Sequence, residues 1–531
     1  MNLPLTPLRF KRRAAHLYRR KLGVVCGASR FTYGEFVQRC DRLAHALLSL
    51  GVHSGERVAF LAYNCHRLLE AYYGVVQMGG VLLPLNIRLS REDFIYILND
   101  SETRVLFFDT EFRDVVDQMR SQLKTVEFFV PLDAPVGDSW AAPKTYDQLL
   151  EQAAATPFEE IEPDEDEVAE IFYTSGTTAD PKGVMLTHRN LYLHALTAIC
   201  GLELRDSDVQ LHTIPLFHVN GWGTPQSLTC VGGTHVMIKK FDPPVVLEMV
   251  EREKVTLLAM VPTMATALLN HPGLPDHSYS SLRMLNVGGA APSVEMIKKL
   301  EEAFGAPCYT GYGLTETSPL LTLATIKSTL GSLDEPERRR RQAMTGWPQV
   351  GIELRVVDES DRDVKPDGQE IGEVIARGDS VMKGYWRQPD ETARAMRGGW
   401  FRTGDMATVD DEGYILIVDR KKDIIISGGE NIASIEIEKC LSGHPSVLEC
   451  AVIAVPDSKW GELPKALVVL KEGAEATERE LLDFCKMRLA GYKCPRSIDF
   501  YDLLPKGGTG KILKKTLREK YWVGEEKRVH G

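Results

Sequence analysis

The residues best suited to bind a multiply charged anion form one short stretch, residues 173–183, with the sequence YTSGTTADPKG. Its hydroxyl, glycine and lysine groups supply backbone N–H donors, side-chain O–H donors and one cation, which together suit a polyphosphate. The stretch is not a Walker A loop, because Pro181 stands five residues after Gly176, where that motif has glycine. A second candidate, around Lys511, also fails the pattern because Ile512 follows the lysine. The sequence therefore excludes a P-loop NTPase and predicts a different kind of phosphate loop.

This loop lies within a repeating order of strand and helix patterns. Short apolar runs rich in β-branched or aromatic residues, such as residues 58–62 and 104–108, alternate with segments whose apolar residues recur at helical spacing. Residues 168–172 form such a run directly before the phosphate loop, and residues 255–261 and 283–287 predict two further buried strands. The order predicts an α/β fold with parallel strands.

The pattern changes after Gly346, where alternating apolar and polar residues predict antiparallel strands. At Asp419 a further segment begins, with its own strands and a helix over residues 478–489. We therefore predict an N-terminal domain, residues 1–418, whose last ~70 residues form a β subdomain. Residues 419–531 form the predicted C-terminal domain.

A second feature of the organisation is an acidic stretch directly before the phosphate loop. Residues 159–170 contain eight acidic side chains in twelve positions, together with Pro163. Like charges and proline are typical of solvated connections, so this stretch predicts an exposed connector.

The composition limits the classes of function. The chain of 531 residues has 63 basic and 74 acidic side chains, a net charge of −11, and 44% hydrophobic residues, so it is neither disordered nor a coat protein for nucleic acid. None of the ten cysteines forms a C-x-x-C pair, which predicts reduced thiols. No apolar run reaches the roughly 18 residues of a membrane span, and residues 1–20 are basic without the apolar core of a secretory signal. We therefore expect a soluble cytoplasmic protein with no nucleic-acid partner and no transmembrane segment.

Six further blocks follow the phosphate loop in a fixed order. They are PLFH at 215–218, GYGLTE at 311–316, WFRTGD at 400–405, VDRKKD at 418–423, SGGEN at 427–431 and PKGGTGK at 505–511. Together with residues 173–183, they resemble the adenylate-forming superfamily, which includes acyl-CoA synthetases, peptide-synthetase adenylation domains and beetle luciferases. The resemblance spans nearly the whole chain. It implies a large N-terminal domain of parallel-strand α/β subdomains plus a small β-barrel, and a small, mobile α+β C-terminal domain.

The resemblance implies a site for ATP. Glu316 would hold Mg²⁺, a hard cation suited to carboxylate and phosphate oxygens, and Thr315 would donate to the α-phosphate. Tyr312 would stack on adenine, while Asp405 and Arg420 would bind the ribose. The residues predicted to bind the cofactors ATP and CoA are Thr174, Ser175, Gly176, Thr177, Thr178, Lys182, Gly289, Ala290, Tyr312, Asp405, Arg420, Gly428 and Gly429. The predicted catalytic residues are Lys511, Thr315, Glu316 and His218.

The resemblance also implies two arrangements of the C-terminal domain. In the first, Lys511 reaches the active site and bridges the substrate carboxylate and the phosphate. In the second, the domain has rotated about a hinge at Asp419, and Lys511 is withdrawn. Gly428 and Gly429 then leave room for the pantetheine arm of CoA.

The blocks narrow the choice of acid. Peptide-synthetase relatives carry an aspartate for the substrate ammonium group where this chain has His218, so an amino acid is disfavoured. Acetate-specific relatives place a bulky tryptophan where Gly313 stands, so a longer acyl group should fit. Trp222 resembles the aromatic gate of fatty acyl-CoA synthetases, and Val287 is predicted to line the acyl pocket with it. Medium-chain or long-chain fatty acids are the favoured substrates, and short branched, sulfur-containing and aromatic acids are the alternatives.

The predicted function is that of an ATP- and CoA-dependent, AMP-forming acyl-CoA synthetase that acts through an acyl-adenylate. Its cofactors would be ATP, Mg²⁺ and CoA, and a homodimer is the expectation for the family. The alternative within the superfamily is a free-standing ligase that loads a carrier protein, although no L-G-G-x-S carrier motif occurs in the chain. A catalytically silent binding protein is the alternative outside the enzymes, and luciferase-like oxidation is disfavoured.

Overall fold

The computed structural model describes residues 3–133, 144–159, 162–174, 181–428, 430–457, 459–506 and 512–522. Its strands, in chain order, are β1 Leu22–Cys26, β2 Ser29–Thr32, β3 Arg57–Leu61, β4 Val81–Pro84, β5 Thr103–Phe108, β6 Phe128–Pro131, β7 Val168–Thr174, β8 Lys182–Thr187, β9 Val209–His212, β10 Thr234–Met237, β11 Leu257–Met260, β12 Met284–Val287, β13 Cys308–Gly313, β14 Leu320–Leu323, β15 Trp347–Pro348, β16 Glu353–Val357, β17 Gly372–Arg377, β18 Gly384–Tyr385, β19 Met396–Arg397, β20 Trp400–Val409, β21 Ile415–Arg420, β22 Ile425–Ser427, β23 Glu430–Ile432, β24 Val447–Asp457, β25 Gly461–Leu470 and β26 Ser497–Phe500. Its α-helices are α1 Leu8–Leu17, α2 Tyr33–Ser49, α3 His66–Gly74, α4 Arg91–Asp100, α5 Arg113–Met119, α6 Tyr146–Gln152, α7 His188–Leu202, α8 Val219–Val231, α9 Pro243–Arg252, α10 Pro262–Leu269, α11 Val294–Phe304, α12 Glu335–Gln342, α13 Pro389–Ala395, α14 Ser434–Ser442, α15 Glu478–Lys486 and α16 Lys514–Glu519.

The chain divides into two compact units. Unit 1 comprises residues Met1–Glu353 and Ala376–Phe401, and unit 2 comprises Leu354–Ile375 and Arg402–Gly531. The domain boundary expected at residues 418 and 419 lies inside unit 2. That boundary concerns which part of the chain moves during the reaction, and it stays a prediction.

Unit 1 contains two large sheets. The first has nine strands in the order β15-β14-β13-β12-β11-β9-β10-β1-β2, and the second has seven in the order β18-β8-β7-β4-β3-β5-β6. Neighbouring strands from β13 to β1 in the first sheet are parallel, as are those from β7 to β6 in the second. Antiparallel pairs occur towards the edges, including β7 with β8 and β8 with β18. The predicted parallel α/β fold is confirmed.

One face of the nine-stranded sheet is apolar and is covered by helices. Leu258 and Leu285 lie in one buried cluster with Val250 of α9 and Leu300 of α11. Proline begins α9, where its missing N–H has no intrahelical partner to lose, and Ser293 caps α11 by accepting a hydrogen bond from a backbone amide of the first turn. The strands predicted over residues 255–261 and 283–287 thus form as β11 and β12.

The opposite face of this sheet carries polar side chains that meet α8, a helix enclosed between the two sheets. Gln210 of β9 donates from Nε2 to Thr224 Oγ1 at 2.8 Å. On the other side of the helix, Gln226 Nε2 donates to Oε1 of Glu170, in β7 of the seven-stranded sheet, at 3.0 Å. Buried polar groups need such partners because water cannot reach them. Amide side chains therefore connect α8 to both sheets.

The environment of Glu170 differs from the sequence-based expectation. Residues 159–170 were expected to form an exposed connector, but the last three belong to β7, and Glu170 is buried. Burial raises the pKa of Glu170 to about 8, against the opposing effect of the amides of Asn220 and Gln226. The prediction is wrong here because a carboxyl group that stays protonated, with amides beside it, can occupy a central strand.

Unit 2 contains smaller sheets and its own core. One sheet has the order β23-β22-β25-β24, with β26 beside β25, and α14 and α15 contribute to the apolar cluster that covers it. A second group of strands contains β16, β17 and most of β20, with β21 antiparallel to β20. The strands and helix expected after residue 419 are present as β24, β25 and α15, which confirms the α+β character of this region.

The ten cysteines are all free thiols. Burial raises the pKa of the thiols of Cys40, Cys308 and Cys450, so these three are protonated core residues at neutral pH rather than nucleophiles. In the part of the chain that the structure describes, no helix is both long enough and apolar enough to cross a membrane.

The burial of Glu170 predicts how stability depends on pH. Its pKa is about 8 in the folded chain, against 4.5 for the ordinary group, so the unfolded chain loses this proton at lower pH than the folded chain does. The free energy of unfolding should therefore fall between about pH 5 and 8, by up to about 1.4 kcal/mol per pH unit from this group alone. Glu170→Gln should remove that contribution, so the variant should gain stability relative to the wild type as the pH rises. Urea unfolding at several pH values measures this difference.

The matched control is Glu167→Gln, because Glu167 is an exposed carboxylate three positions earlier in the same acidic stretch. Its profile should run parallel to that of the wild type. If the free energy of unfolding of Glu170→Gln differed from that of the wild type by a constant amount across this pH range, the prediction would be contradicted.

Candidate active site

The two ends of the predicted phosphate loop lie side by side in the seven-stranded sheet. Antiparallel pairing of β7 with β8 places Thr174 opposite Lys182. The Lys182 ammonium forms an ion pair with Glu391 and lies 5.3 Å from the ring centroid of Tyr385, within the range of a cation–π interaction. This ion pair also lowers the pKa of Glu391, which is therefore ionised. The predicted phosphate-binding cation is thus held between a carboxylate and an aromatic ring.

Tyr385 also contacts Glu316, the predicted metal-binding residue. Tyr385 Oη donates to Glu316 Oε1 at 3.0 Å, and the backbone N–H of Met382 donates to the Glu316 carbonyl oxygen at 2.8 Å. Burial, and then the charge of Glu316, raise the pKa of Tyr385, so the phenol keeps its proton. One tyrosine therefore touches both the predicted metal ligand and the predicted phosphate-binding lysine.

This arrangement fits Mg²⁺ that arrives together with a nucleotide. Among the described residues, no group of three or more His, Cys, Asp or Glu side chains could hold a metal ion. Mg²⁺ commonly keeps several waters and takes one or two carboxylates together with substrate phosphates. A single oriented carboxylate at Glu316 suits that mode of binding and does not suit a permanently enclosed ion.

Trp222 lies against the glycines that follow β12. A Cβ atom added at Gly288 would lie 2.9 Å from Trp222 Cη2 and 3.3 Å from the carbonyl oxygen of Gly311. A Cβ at Gly289 would lie 3.7 Å from Trp222 Cζ2. The structure thus brings the predicted gate next to the turn predicted to approach adenine, and Ala290 follows that turn as an exposed residue.

The backbone that presents Trp222 has an unusual conformation. Residues 219–223 all have positive φ, from 44° to 78°, so the first part of α8 turns in the left-handed sense. Such a conformation costs about 1–2 kcal/mol for each residue other than glycine. Gly223 is required on packing grounds as well, because an added Cβ would lie 2.0 Å from Cε1 of His194. His218 stands directly before this turn, as the residue that precedes α8.

Two residues predicted to shape the acyl pocket have other structural explanations. Val287 is buried in the apolar cluster with Met260 and Ile297, on the face of the sheet that α11 covers. A Cβ at Gly313 would lie 1.7 Å from the carbonyl oxygen of Pro319, so close backbone approach requires glycine there whatever the size of the pocket. Neither residue therefore reports by itself on the length of the acyl group.

The neighbour of Val287 was missed by the sequence analysis. Side chains alternate along a strand, so Asn286 faces away from Val287, and its Oδ1 lies 3.2 Å from where a Cβ of Gly311 would be. Asn286 Oδ1 is buried and has no hydrogen-bond partner within the described part of the chain. The polar residue inside an otherwise apolar strand, MLNV, was the available signal.

In unit 2, the two predicted ribose contacts lie together. Asp405 and Arg420 are opposite each other in the pairing of β20 with β21, and Arg420 Nε lies 2.7 Å from Asp405 Oδ1. Asp405 is buried, and its backbone N–H donates to Thr403 Oγ1 at 3.1 Å. The sheet register thus determines the distance between these two residues.

The predicted hinge residue is anchored to the helix that follows it. Asp419 Oδ2 accepts hydrogen bonds from the backbone N–H of Ser434 at 2.6 Å and from its Oγ at 2.5 Å. Lys514 Nζ in turn donates to Ser434 Oγ at 2.5 Å. Burial raises the pKa of Asp419, while Lys514 and Ser434 oppose this effect. Asp419 is therefore part of a charged cluster at the start of α14.

The remaining predicted residues have simpler environments or lie outside the described residues. Gly428 has a φ of 60°, and an added Cβ would lie 2.6 Å from Cε3 of Trp460. Thr315 is buried in a short turn directly before Glu316, and Tyr312 lies in β13. The predicted residues outside the described part of the chain are Ser175, Gly176, Thr177, Thr178, Gly429 and Lys511.

The segment that contains Tyr385 and Glu391 was also missed by the sequence analysis. It reads KGYWRQPDET, and its glycine, proline and threonine mark a turn followed by a helix start. That signal predicts local structure only. Contacts with Lys182, which is 209 positions away from Glu391, depend on the pairing of β8 with β18.

Comparisons with known proteins identify the family of this chain. The sequence model described as AMP-binding enzyme matches residues 10–386, and that described as AMP-binding enzyme C-terminal domain matches residues 436–511. The chain is 41% identical over 521 residues to a long-chain-fatty-acid–CoA ligase of Thermus thermophilus, covering 96% of this chain and 95% of that protein. It is 36% identical to a 4-hydroxybutyrate–CoA ligase of Metallosphaera sedula, covering 97% and 94% of the two chains.

A solved structure shows the same architecture. The crystal structure of an anthranilate CoA ligase in complex with anthranoyl-AMP superposes with a TM-score of 0.88 and 27% sequence identity, covering 98% of both chains. The relatives are named as CoA ligases, the solved structure is a complex with an acyl-AMP, and the family models match both parts of the chain. This chain therefore belongs to the AMP-binding enzyme family, as an AMP-forming acyl-CoA synthetase.

Proposed function

We propose that this enzyme activates a fatty or related carboxylic acid with MgATP and transfers the acyl group to CoA. The observation that supports the nucleotide site is the contact of Tyr385 with both Lys182 and Glu316. Through this one side chain, a cation suited to phosphate and a carboxylate suited to Mg²⁺ are linked beside the strands that flank the predicted phosphate loop, which supports the proposal. Two anions can react only where their charge is neutralised, and these groups supply that neutralisation.

In the first step, a carboxylate oxygen of the acid attacks the α-phosphorus of ATP, and the bond to pyrophosphate breaks. Mg²⁺, when bound, neutralises phosphate charge and orients the leaving group. Lys182 binds phosphate oxygens, Thr315 donates to the α-phosphate, and Lys511 bridges the acid and the phosphate. Asp405 and Arg420 orient the ribose.

In the second step, the sulfur of CoA attacks the acyl carbonyl, and AMP leaves. Lys511 must withdraw to admit the thiol, which the rotation of the C-terminal domain provides. The anchoring of Asp419 on Ser434 supports a hinge there, because residues from 419 onwards then turn as one piece with α14. Gly428 and Gly429 leave space for the pantetheine arm.

Trp222 supports an acyl site for fatty acids. Its ring lies against Gly288 and Gly289, in the turn predicted to approach adenine, and this supports a gate between the acyl chain and ATP. The similar ligase from Thermus thermophilus is named for long-chain fatty acids. We propose medium-chain or long-chain acids as the main substrates, and a cytoplasmic homodimer as the form in which the enzyme works.

The substrate proposal predicts which acids release pyrophosphate. With ATP and Mg²⁺, fatty acids of about 8–16 carbons should give faster pyrophosphate release than acetate or amino acids, because a larger apolar surface is buried on binding. The reaction should yield AMP and an acyl-CoA when CoA is present. Coupled pyrophosphate detection with a panel of acids, followed by mass spectrometry of the thioester, measures both. Product formation only with a carrier protein, or only with short aromatic acids, would contradict this choice.

The two-arrangement proposal predicts separate effects on the half-reactions. Lys511→Ala should abolish formation of acyl-AMP, because the bridging cation is lost, and should largely retain thioester formation from supplied acyl-AMP. The control is Lys515→Ala, which removes an exposed lysine near the same loop. Single-turnover assays with radiolabelled ATP and with synthetic acyl-AMP test the two steps. Equal loss in both half-reactions would exclude the two-arrangement proposal.

The proposed gate predicts a change in acid binding when its ring is displaced. Gly288→Ala adds a Cβ that would lie 2.9 Å from Trp222 Cη2, so the ring must shift. The KM for the acid should change by about tenfold, equivalent to ~1.4 kcal/mol, with a smaller change in the KM for ATP. Gly491→Ala is the control, because nothing lies within 4 Å of a Cβ at that position. A change in the KM for ATP alone would place Trp222 at the nucleotide rather than at the acid.

A further inference from the structure

Tyr385 makes two different contacts with two different parts of its side chain. Its hydroxyl donates to Glu316 Oε1 at 3.0 Å, while the face of its ring lies 5.3 Å from Lys182 Nζ. The hydroxyl acts on a carboxylate, and the ring acts on a cation. The two contacts can therefore be removed separately by substitution.

The position of Tyr385 is itself fixed by the backbone. Tyr385 pairs with Val184 in the antiparallel pairing of β18 with β8, two residues after Lys182. Its backbone N–H donates to Thr392 Oγ1 at 2.9 Å, and the next residue, Trp386, donates from its backbone N–H to the Gly183 carbonyl oxygen at 2.7 Å. The ring is thus placed by the strand that contains Lys182, not by a mobile loop.

We propose that Tyr385 is a positioning residue for the nucleotide site, which orients the Glu316 carboxylate through its hydroxyl and the Lys182 ammonium through its ring. The inference rests on the proposed function, in which Glu316 holds Mg²⁺ and Lys182 binds phosphate. Groups that hydrogen-bond to a metal-binding carboxylate restrict its rotation, and their loss weakens metal binding.

The chemistry of the phenol matches this role. A neutral tyrosine donates one hydrogen bond, and an ionised carboxylate accepts it at one oxygen, which sets the direction of the other. A tyrosine hydroxyl ordinarily titrates at about pH 10, so a phenol supplies this donor at neutral pH. The ring supplies a second, weaker attraction that holds Lys182 even when Glu391 gives up its ion pair to phosphate.

The experiment measures ATP binding by the full-length enzyme, by isothermal titration calorimetry without acid or CoA, at a series of Mg²⁺ concentrations. Tyr385→Phe removes the hydroxyl and keeps the ring. It should raise, by about tenfold or more, the Mg²⁺ concentration at which ATP affinity has reached half of its maximal increase. Without Mg²⁺, its affinity for ATP should stay within about twofold of that of the wild type. Tyr385→Leu removes the ring as well and should weaken ATP binding both with and without Mg²⁺.

The matched control is Tyr63→Phe, which deletes another tyrosine–glutamate hydrogen bond of unit 1, from Tyr63 Oη to Glu111 Oε2 at 3.1 Å. This variant should bind ATP like the wild type under every condition. Thermal unfolding of each variant shows whether the fold is intact. If Tyr385→Leu does not fold, Tyr385→Phe still decides the proposal.

The outcomes separate this inference from the proposed function. If Tyr385→Phe needs no more Mg²⁺ than the wild type, or loses affinity for ATP equally with and without Mg²⁺, Tyr385 does not position Glu316. If ATP binding by the wild type does not depend on Mg²⁺ at all, the proposed role of Glu316 is wrong, and the inference falls with it.

Discussion

The pairing of β8 with β18 is the contact on which the proposed nucleotide site depends. β8 begins with Lys182 and pairs on one side with β7, so the phosphate loop has both its ends in the sheet. On its other side it pairs with β18, which contains Tyr385, and the helix that follows, α13, contains Glu391. Glu316 comes from the other large sheet, in the turn after β13. Tyr385 thus contacts one residue from each sheet, and the pairing of β18 with β8 fixes where its ring and its hydroxyl lie.

The proposed acyl site depends on a different constraint, the enclosure of α8 between the two sheets. A helix surrounded on all sides cannot present a wide polar face to water, so its polar groups bond to side chains such as Gln210 and Glu170 instead. The left-handed start of this helix then places Trp222 over Gly288. A strained backbone of this kind is stable only when the surrounding structure holds it in place. In the proposed mechanism, this backbone positions the Trp222 ring between the acid and ATP.

Much of the fold could be predicted from the sequence, because strand and helix patterns are local. β11, β12 and α15 lie where their patterns indicated, and the ordered blocks were enough to identify the family. Three features were not predictable in this way. Glu170 looks like part of an acidic connector until the sheet buries it, Val287 packs in the apolar cluster that α11 covers, and Gly313 is required by a carbonyl group six residues away. Each depends on a contact between elements, and a residue type alone does not specify its contacts.

The effect of charge on nucleotide binding also depends on where the charged side chains lie. The net charge of −11 gives no long-range attraction for ATP or CoA, so binding must come from local groups. Two of the cations proposed for the nucleotide are already paired with carboxylates, Lys182 with Glu391 and Arg420 with Asp405. In the proposed function, a phosphate of ATP replaces Glu391 as the partner of Lys182, while Asp405 and Arg420 meet the ribose as a pair. Because the carboxylates hold the cations in position before the nucleotide arrives, less side-chain entropy is lost on binding. An acidic protein can therefore bind a polyanion with few cations, provided that the sheets hold those cations in place.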